Sequence, residues 1–166
     1  MLGLDCNLGV RAAWPTAGQP DWSVDQDICF LRVTGIDDPY NRQRDISYSG
    51  SGATLTRRDT YTRVIAVNFI LYGPNSFEYA EQIRGQMFWS DPKYTLAQGQ
   101  LFPIPDIPQP IRFPELFQGQ WWQRTDLTIR FNQFMTWIST VPAIEQAQIR
   151  LVQEDGKETE INGTLP

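Results

Sequence analysis

The run Tyr61–Tyr72, YTRVIAVNFILY, constrains the fold of this chain more than any other stretch. It is the longest apolar run in the protein, and its β-branched and aromatic residues favour a pleated, well-packed strand. Side chains alternate across a strand, so Ile65, Val67, Phe69 and Leu71 share one face. Val64, Ala66, Asn68, Ile70 and Tyr72 share the other. Two apolar faces predict a central strand covered on both sides. Gly73-Pro74 ends it, because proline has no N–H to give to a ladder. Asn75 is placed to cap a helix starting at Ser76, with Glu78 at the third helical position as in a capping box. Phe77, Ala80, Ile83, Met87 and Phe88 follow at helical spacing, which predicts one helix face laid against the sheet.

Around this hub the chain reads as further strands. Val10–Trp14 is a short strand candidate ended by Pro15, and Asp27–Gly35 is a second, longer one. Residues 36–60 carry Asp37-Asp38-Pro39, Tyr40, the arginines Arg42, Arg44, Arg57 and Arg58, and the small piece Ser49–Gly52. This stretch is either a long loop or an extended hairpin projecting as an arm, and loops of such length are commonly functional. A short helix is expected near Tyr94–Gln98. Residues 101–114, LFPIPDIPQPIRFP, hold five prolines, which predicts a stiff extended strap across an apolar surface.

Gln118–Asn132 reads as one alternating strand, with Trp121, Thr125, Leu127, Ile129 and Phe131 on the buried face. Phe134–Ile138 suggests a helical turn. Ala143–Gln153 is a strand with Ala147, Ile149 and Leu151 inward, and Asp155-Gly156 is a two-residue hairpin signal before Glu158–Ile161. Met1–Asn7 reads like the last turn of a helix. The expectation is one α+β domain over 1–166: a mainly antiparallel, mixed sheet, one principal amphipathic helix packed on it, and an extended arm.

Chemistry is sparse. The chain has no histidine, so the commonest general base and metal ligand is missing. Cys6 and Cys29 lack metal-site or redox spacing and read as two reduced thiols. No phosphate-cradling glycine motif occurs. Neither Asp37-Asp38 nor Glu154-Asp155 has a catalytic context. No enzyme activity, cofactor or metal is therefore expected. A net charge of -5 argues against a nucleic-acid-binding surface. The start lacks the pattern of a signal peptide, and no stretch approaches the roughly 20 apolar residues of a membrane span, so a soluble protein made in the cytoplasm is expected.

The mixed charges of residues 36–60 suit a protein partner better than phosphate. Trp121 reads as core and Trp122 as a subunit or loop contact. The candidate interface residues are Asp37, Asp38, Tyr40, Arg42, Arg44, Arg57, Arg58 and Trp122. An alternative is a carbohydrate- or peptide-binding module, with Trp121, Trp122 and the proline strap forming an aromatic groove.

Four strings, VRAAWPTAGQPDW (10–22), FLRVTGIDDPYNRQRD (30–45), YTRVIAVNFILYGPNSF (61–77) and PELFQGQWWQRTDLTIRFN (114–132), resemble the phage neck terminator family. The resemblance runs from about Gly9 to about Leu151. It implies a tail-terminator-like fold and a structural role in the virion neck of a tailed bacteriophage. Such a subunit forms a homo-oligomer, a hexameric ring that caps the tail tube and joins it to the head-side connector or stopper. Genomic DNA passes through the lumen without sequence-specific binding, and no membrane is involved. The resemblance also implies an N-terminal helix ahead of VRAAWP, where this sequence has only MLGLDCN, and it carries over no active-site residues.

Overall fold

The structure of the protein is a computed structural model that describes residues 8–15, 18, 20–143, 146–152 and 156–164. Among these, strands β1 (Gly9–Ala12), β2 (Ile28–Gly35), β3 (Asp45–Ser49), β4 (Thr54–Tyr72), β5 (Leu101–Pro103), β6 (Ile111–Arg112) and β9 (Arg124–Pro142) form one sheet. Its main order is β1-β2-β4-β9-β5, with β3 also on β4 and β6 also on β9. β1 runs parallel to β2, and β2 runs antiparallel to β4 from Ile28↔Tyr72 to Gly35↔Ile65. Two small hairpins complete the strands: β7 (Glu115–Phe117) with β8 (Gln120–Trp122), and β10 (Gln146–Val152) with β11 (Glu158–Thr164). Helices α1 (Ser76–Gln86) and α2 (Ser90–Gln98) follow β4. The class is α+β, with a mixed, mainly antiparallel sheet.

The chain divides into two compact units. Unit 1 comprises residues 1–43 and 62–135; unit 2 comprises 44–61 and 136–166. β4 and β9 contribute residues to both.

Unit 1 holds the core. β4 is central, between β2 and β9, as its two apolar faces require. Ile65 and Leu71 meet Tyr79, Ala80 and Ile83 of α1, Met87 just past its end, and Leu127, Ile129 and Phe131 of β9. Each fully buried Leu or Ile here stabilises the fold by roughly 1.5–3 kcal/mol. The proline-rich segment is extended; its ends pair with β9 as β5 and β6, and Ile107 between them drops into the core. Proline is tolerated there because β5 and β6 lie at the sheet edge.

Several local expectations change. α1 starts at Ser76, but the Asn75 side chain does not cap it. Instead its Nδ2 donates to Asp27 Oδ2 at 2.9 Å and its backbone N–H to Asp27 Oδ1 at 3.0 Å. Gly73 has φ 112°, and a Cβ there would stand 2.4 Å from Asp27 Oδ1, so this approach admits only glycine. On α1, Tyr79 and Gln86 are buried with Ala80 and Ile83; past its end Met87 is buried and Phe88 exposed. α2 is a full helix that begins earlier than the short one expected.

Gln118–Asn132 is not one strand. Gln118 and Gly119 both have positive φ, 51° and 76°, and turn β7 into β8 before β9 begins at Arg124. Thr125, Leu127, Ile129 and Phe131 are buried as the alternation predicts, but Trp121 is 65% exposed. Phe134–Ile138 is not helical: β9 continues through it to Pro142.

In unit 2, β3 and the first part of β4 form an antiparallel hairpin from Asp45↔Thr60 to Ser49↔Thr56. β10 and β11 pair as far as Val152↔Glu158, which leaves a connection longer than two residues. The readings at Met1–Asn7, Cys6 and Asp155, and of the side chains of Ala147, Ile149 and Leu151, lie outside the described residues.

Candidate assembly surfaces

In unit 1, a 3-10 turn, Pro39–Arg42, follows β2. Proline presets its backbone, and Asp38 caps it through Oδ1, which accepts the Tyr40 N–H at 2.9 Å. Asn41 ties the turn to the sheet: its Nδ2 donates to the Ile36 carbonyl and its Oδ1 accepts the Val64 N–H, both at 2.6 Å. Sequence reading overlooked Asn41, whose partner Val64 is distant along the chain. Asp37 pairs with Arg42 at 3.6 Å, with side chains 87% and 72% exposed, an arrangement that stabilises by about 0–1 kcal/mol. Tyr40 is exposed. Asp37 and Asp38 thus serve different partners and form no shared acid site.

Unit 2 carries the remaining arginines. Arg44 lies over the Tyr61 ring at 3.5 Å, and Tyr61 Oη accepts the Trp137 indole N–H at 3.2 Å. Arg57 faces Asp59 at 3.6 Å. Arg58 sits opposite Ser47 on the other face of the hairpin, where its neighbours are Thr56, Thr60, Asp45 and Ser49. Exposed apolar residues are plentiful in this unit: Ile46, Tyr48, Trp137 and Ile138.

Trp122 does not join the residues of the 3-10 turn. It packs at the other end of β2 and β4, in an aromatic cluster of unit 1. Trp22, Phe30, Tyr72, Trp122 and Phe117 meet ring to ring at 5.1–6.4 Å between centroids, mostly edge to face. Such contacts add about 0.5–1.5 kcal/mol each beyond buried area. They offset a penalty: Trp22 Nε1 and Trp122 Nε1 are buried without a hydrogen-bond acceptor.

One edge of the cluster is ionic. Arg124 grips Asp126 with two bonds of 2.8 Å and reaches Glu115 at 3.3 Å. Those bonds to Asp126, above all, hold its guanidinium protonated beyond the usual arginine range. Glu115 also accepts the Tyr72 hydroxyl at 2.8 Å. Burial first, and this bond second, push the Tyr72 phenol up to about 12. A concavity of about 530 Å³ opens here, lined by Asp21, Trp22, Tyr72, Glu115, Phe117, Gln118 and Trp122. It offers aromatic ring faces, the Tyr72 hydroxyl and two carboxylates. Among the described residues no group of three Cys, Asp or Glu is placed to hold a metal.

A family model described as phage neck terminator protein matches residues 1–155. The chain belongs to the phage neck terminator family. No curated protein matches its sequence. The family is one of structural virion proteins of bacteriophages, which associate with other tail and head proteins. No helix among the described residues is long and apolar enough to cross a membrane.

For a neck terminator, surfaces matter more than pockets, and the aromatic cluster has a telling composition. Each of the four strings that carry the family resemblance contributes to it: Trp22, Phe30, Tyr72, and Phe117 with Trp122. Sequence reading passed over Trp22, which meets Phe30 nearby in sequence and Tyr72 and Trp122 far along the chain. Trp121, next to Trp122 on β8, points to the opposite face and pairs across the hairpin with Leu116, which is 58% exposed. The two tryptophans therefore form no common stacking platform.

Proposed function

We propose that this protein is the ring-forming subunit of the neck: six copies cap the tail tube, join it to the head-side connector, and leave a lumen for the genome. Membership of the neck terminator family, over residues 1–155, is the observation that carries this reading. The exposed apolar residues of unit 2 and of the β7–β8 hairpin support it, because patches of this kind mark protein contacts. A head-to-tail contact repeated with a closing rotation makes a ring. A net charge of -5 keeps DNA moving through the lumen instead of binding it.

In this reading the whole chain acts as one terminator-like module without catalytic function or cofactor, made in the host cytoplasm and carried in the virion. Residues 36–60 are its arm and residues 101–114 a strap. Asp37, Tyr40, Arg42, Arg57 and Arg58 meet neighbouring subunits or the tube, while Asp38, Arg44 and Trp122 hold those surfaces in shape. The test is native mass spectrometry with electron microscopy, on the purified protein alone and with the tail-tube protein of the same phage. A hexamer with an open centre is expected in at least one condition. A monomer in both contradicts the reading.

A further inference from the structure

We infer that the acidic aromatic cup of one copy receives the Arg58 side chain of a second copy. This rests on the ring reading above and names one contact of that ring. The cup is defined by its chemistry. Trp22, Tyr72, Phe117 and Trp122 supply ring faces, and Asp21 and Glu115 supply carboxylates, with no basic side chain in its lining among the described residues. Arg124, behind the wall, faces both Glu115 and Asp126, so the ionic edge keeps a net negative charge, to which Asp21 adds. Aromatic faces beside carboxylates select a cation, and a planar guanidinium stacks and bridges where an ammonium only attracts.

The molecule itself uses this pairing repeatedly: Arg11 over Trp22, Arg32 over Trp14, Arg44 over Tyr61, Arg112 over Phe77 and Arg124 near Tyr72. Arg11 is held in place by the Pro20 carbonyl at 2.7 Å and stands outside the cup's lining.

Arg58 is the complementary group. Among residues whose side chains are described, it is the one arginine with no hydrogen bond, ion pair or ring contact. It rises from a face otherwise built of short side chains, Ser47, Ser49, Thr56 and Thr60 beside Asp45. Small neighbours let a partner surface approach closely around a single long cation. The cup belongs to unit 1 and Arg58 to unit 2, and pairing one with the other head to tail between successive copies propagates around a ring.

The test is a charge-swap cycle read by native mass spectrometry and sedimentation, under whichever condition the wild type assembles. Arg58→Glu and Asp21→Arg should each weaken assembly about tenfold or more, and the double variant should recover most of that loss. Arg58→Lys should fall between wild type and Arg58→Glu. All four variants should keep the wild-type melting temperature as monomers, since both positions are exposed. Assembly unchanged in Arg58→Glu, or a double variant no better than the singles, overturns this contact and leaves the ring standing. Loss of tube capture in Asp21→Arg with the homo-oligomer intact also overturns it and assigns the cup to a cation of the tube protein. A wild type that never assembles contradicts the ring and this contact together.

Discussion

β4 and β9 each pass through two different environments. From Val64 to Leu71, and from Thr125 to Phe131, these strands pack against α1 and build the core of unit 1. From Thr54 to Tyr61, and from Thr136 to Pro142, the same strands carry hydroxyls, charges and large apolar side chains left in solvent. Strand formation therefore does not require a covered face at every residue; the covered half can specify the register that the exposed half continues. Unit 1 is where folding free energy concentrates. The exposed half has apolar area still to bury, and in a neck protein the natural cover is another protein.

Core truncation should break that contrast most severely. Leu71→Ala and Ile129→Ala remove fully buried side chains and should each lower unfolding free energy by about 2–5 kcal/mol in urea titrations.

Alkaline pH should come next. Burial pushes the Cys29 thiol from 9.0 up to about 12 and, with the Glu115 bond, the Tyr72 phenol from 10.0 up to about 12. The folded chain keeps these protons while the unfolded chain loses them, so stability is full below pH 9 and falls as pH rises from there to 12. For Cys29 alone the loss should approach about 4 kcal/mol at the top of that window. Cys29→Ala should flatten the decline below pH 10 and leave the part due to Tyr72, as read from urea midpoints at successive pH values.

Gly73→Ala forces a Cβ against Asp27 at a positive φ and should destabilise by about 2–3 kcal/mol in the same assay. Asp27→Ala should not recover that loss, because the Gln26 carbonyl at 2.7 Å and the Asp27 Cα at 2.8 Å still obstruct the Cβ. The smallest effect sharpens the comparison from the other side. Trp137→Ala and Ile138→Ala, at 61% and 63% exposure, should each change the monomer's stability by no more than about 0.5 kcal/mol while weakening its assembly.

What could be read from the sequence follows the same division. The central strand, its Gly-Pro stop and the start of α1 were legible because two-sided burial and chain breaking leave local signatures. The buried alternation from Thr125 to Phe131 was legible for the same reason. Phe134–Ile138 was misread because uncovered strand residues need not alternate, and an apolar FMTWI without a period resembles a helical turn. Trp121 was misread because a large apolar side chain suggests burial even where a tight Gln118-Gly119 turn reverses the chain. Asn75 was assigned a local cap, but Asp27, distant in sequence, claims its side chain.

At the candidate surfaces the residue types were visible and the grouping was not. Trp122 came with the arginines by composition, yet it belongs to a cluster assembled from four distant strings. Arg58 was not told from Arg57 because residues 36–60 read equally as loop or hairpin; with β4 a strand, Arg57 shares a face with Asp59 and Arg58 takes the other.

The most direct test of this account is hydrogen exchange by mass spectrometry on the isolated chain and on tail particles that carry it. The account predicts that residues 64–71 and 125–131 are protected in both states, whereas residues 45–60 and 136–142 exchange faster in the free chain and become protected in the particle. Equal exchange of 45–60 and 136–142 in the two states would contradict the claim that the exposed half of these strands exists to be covered by its neighbours.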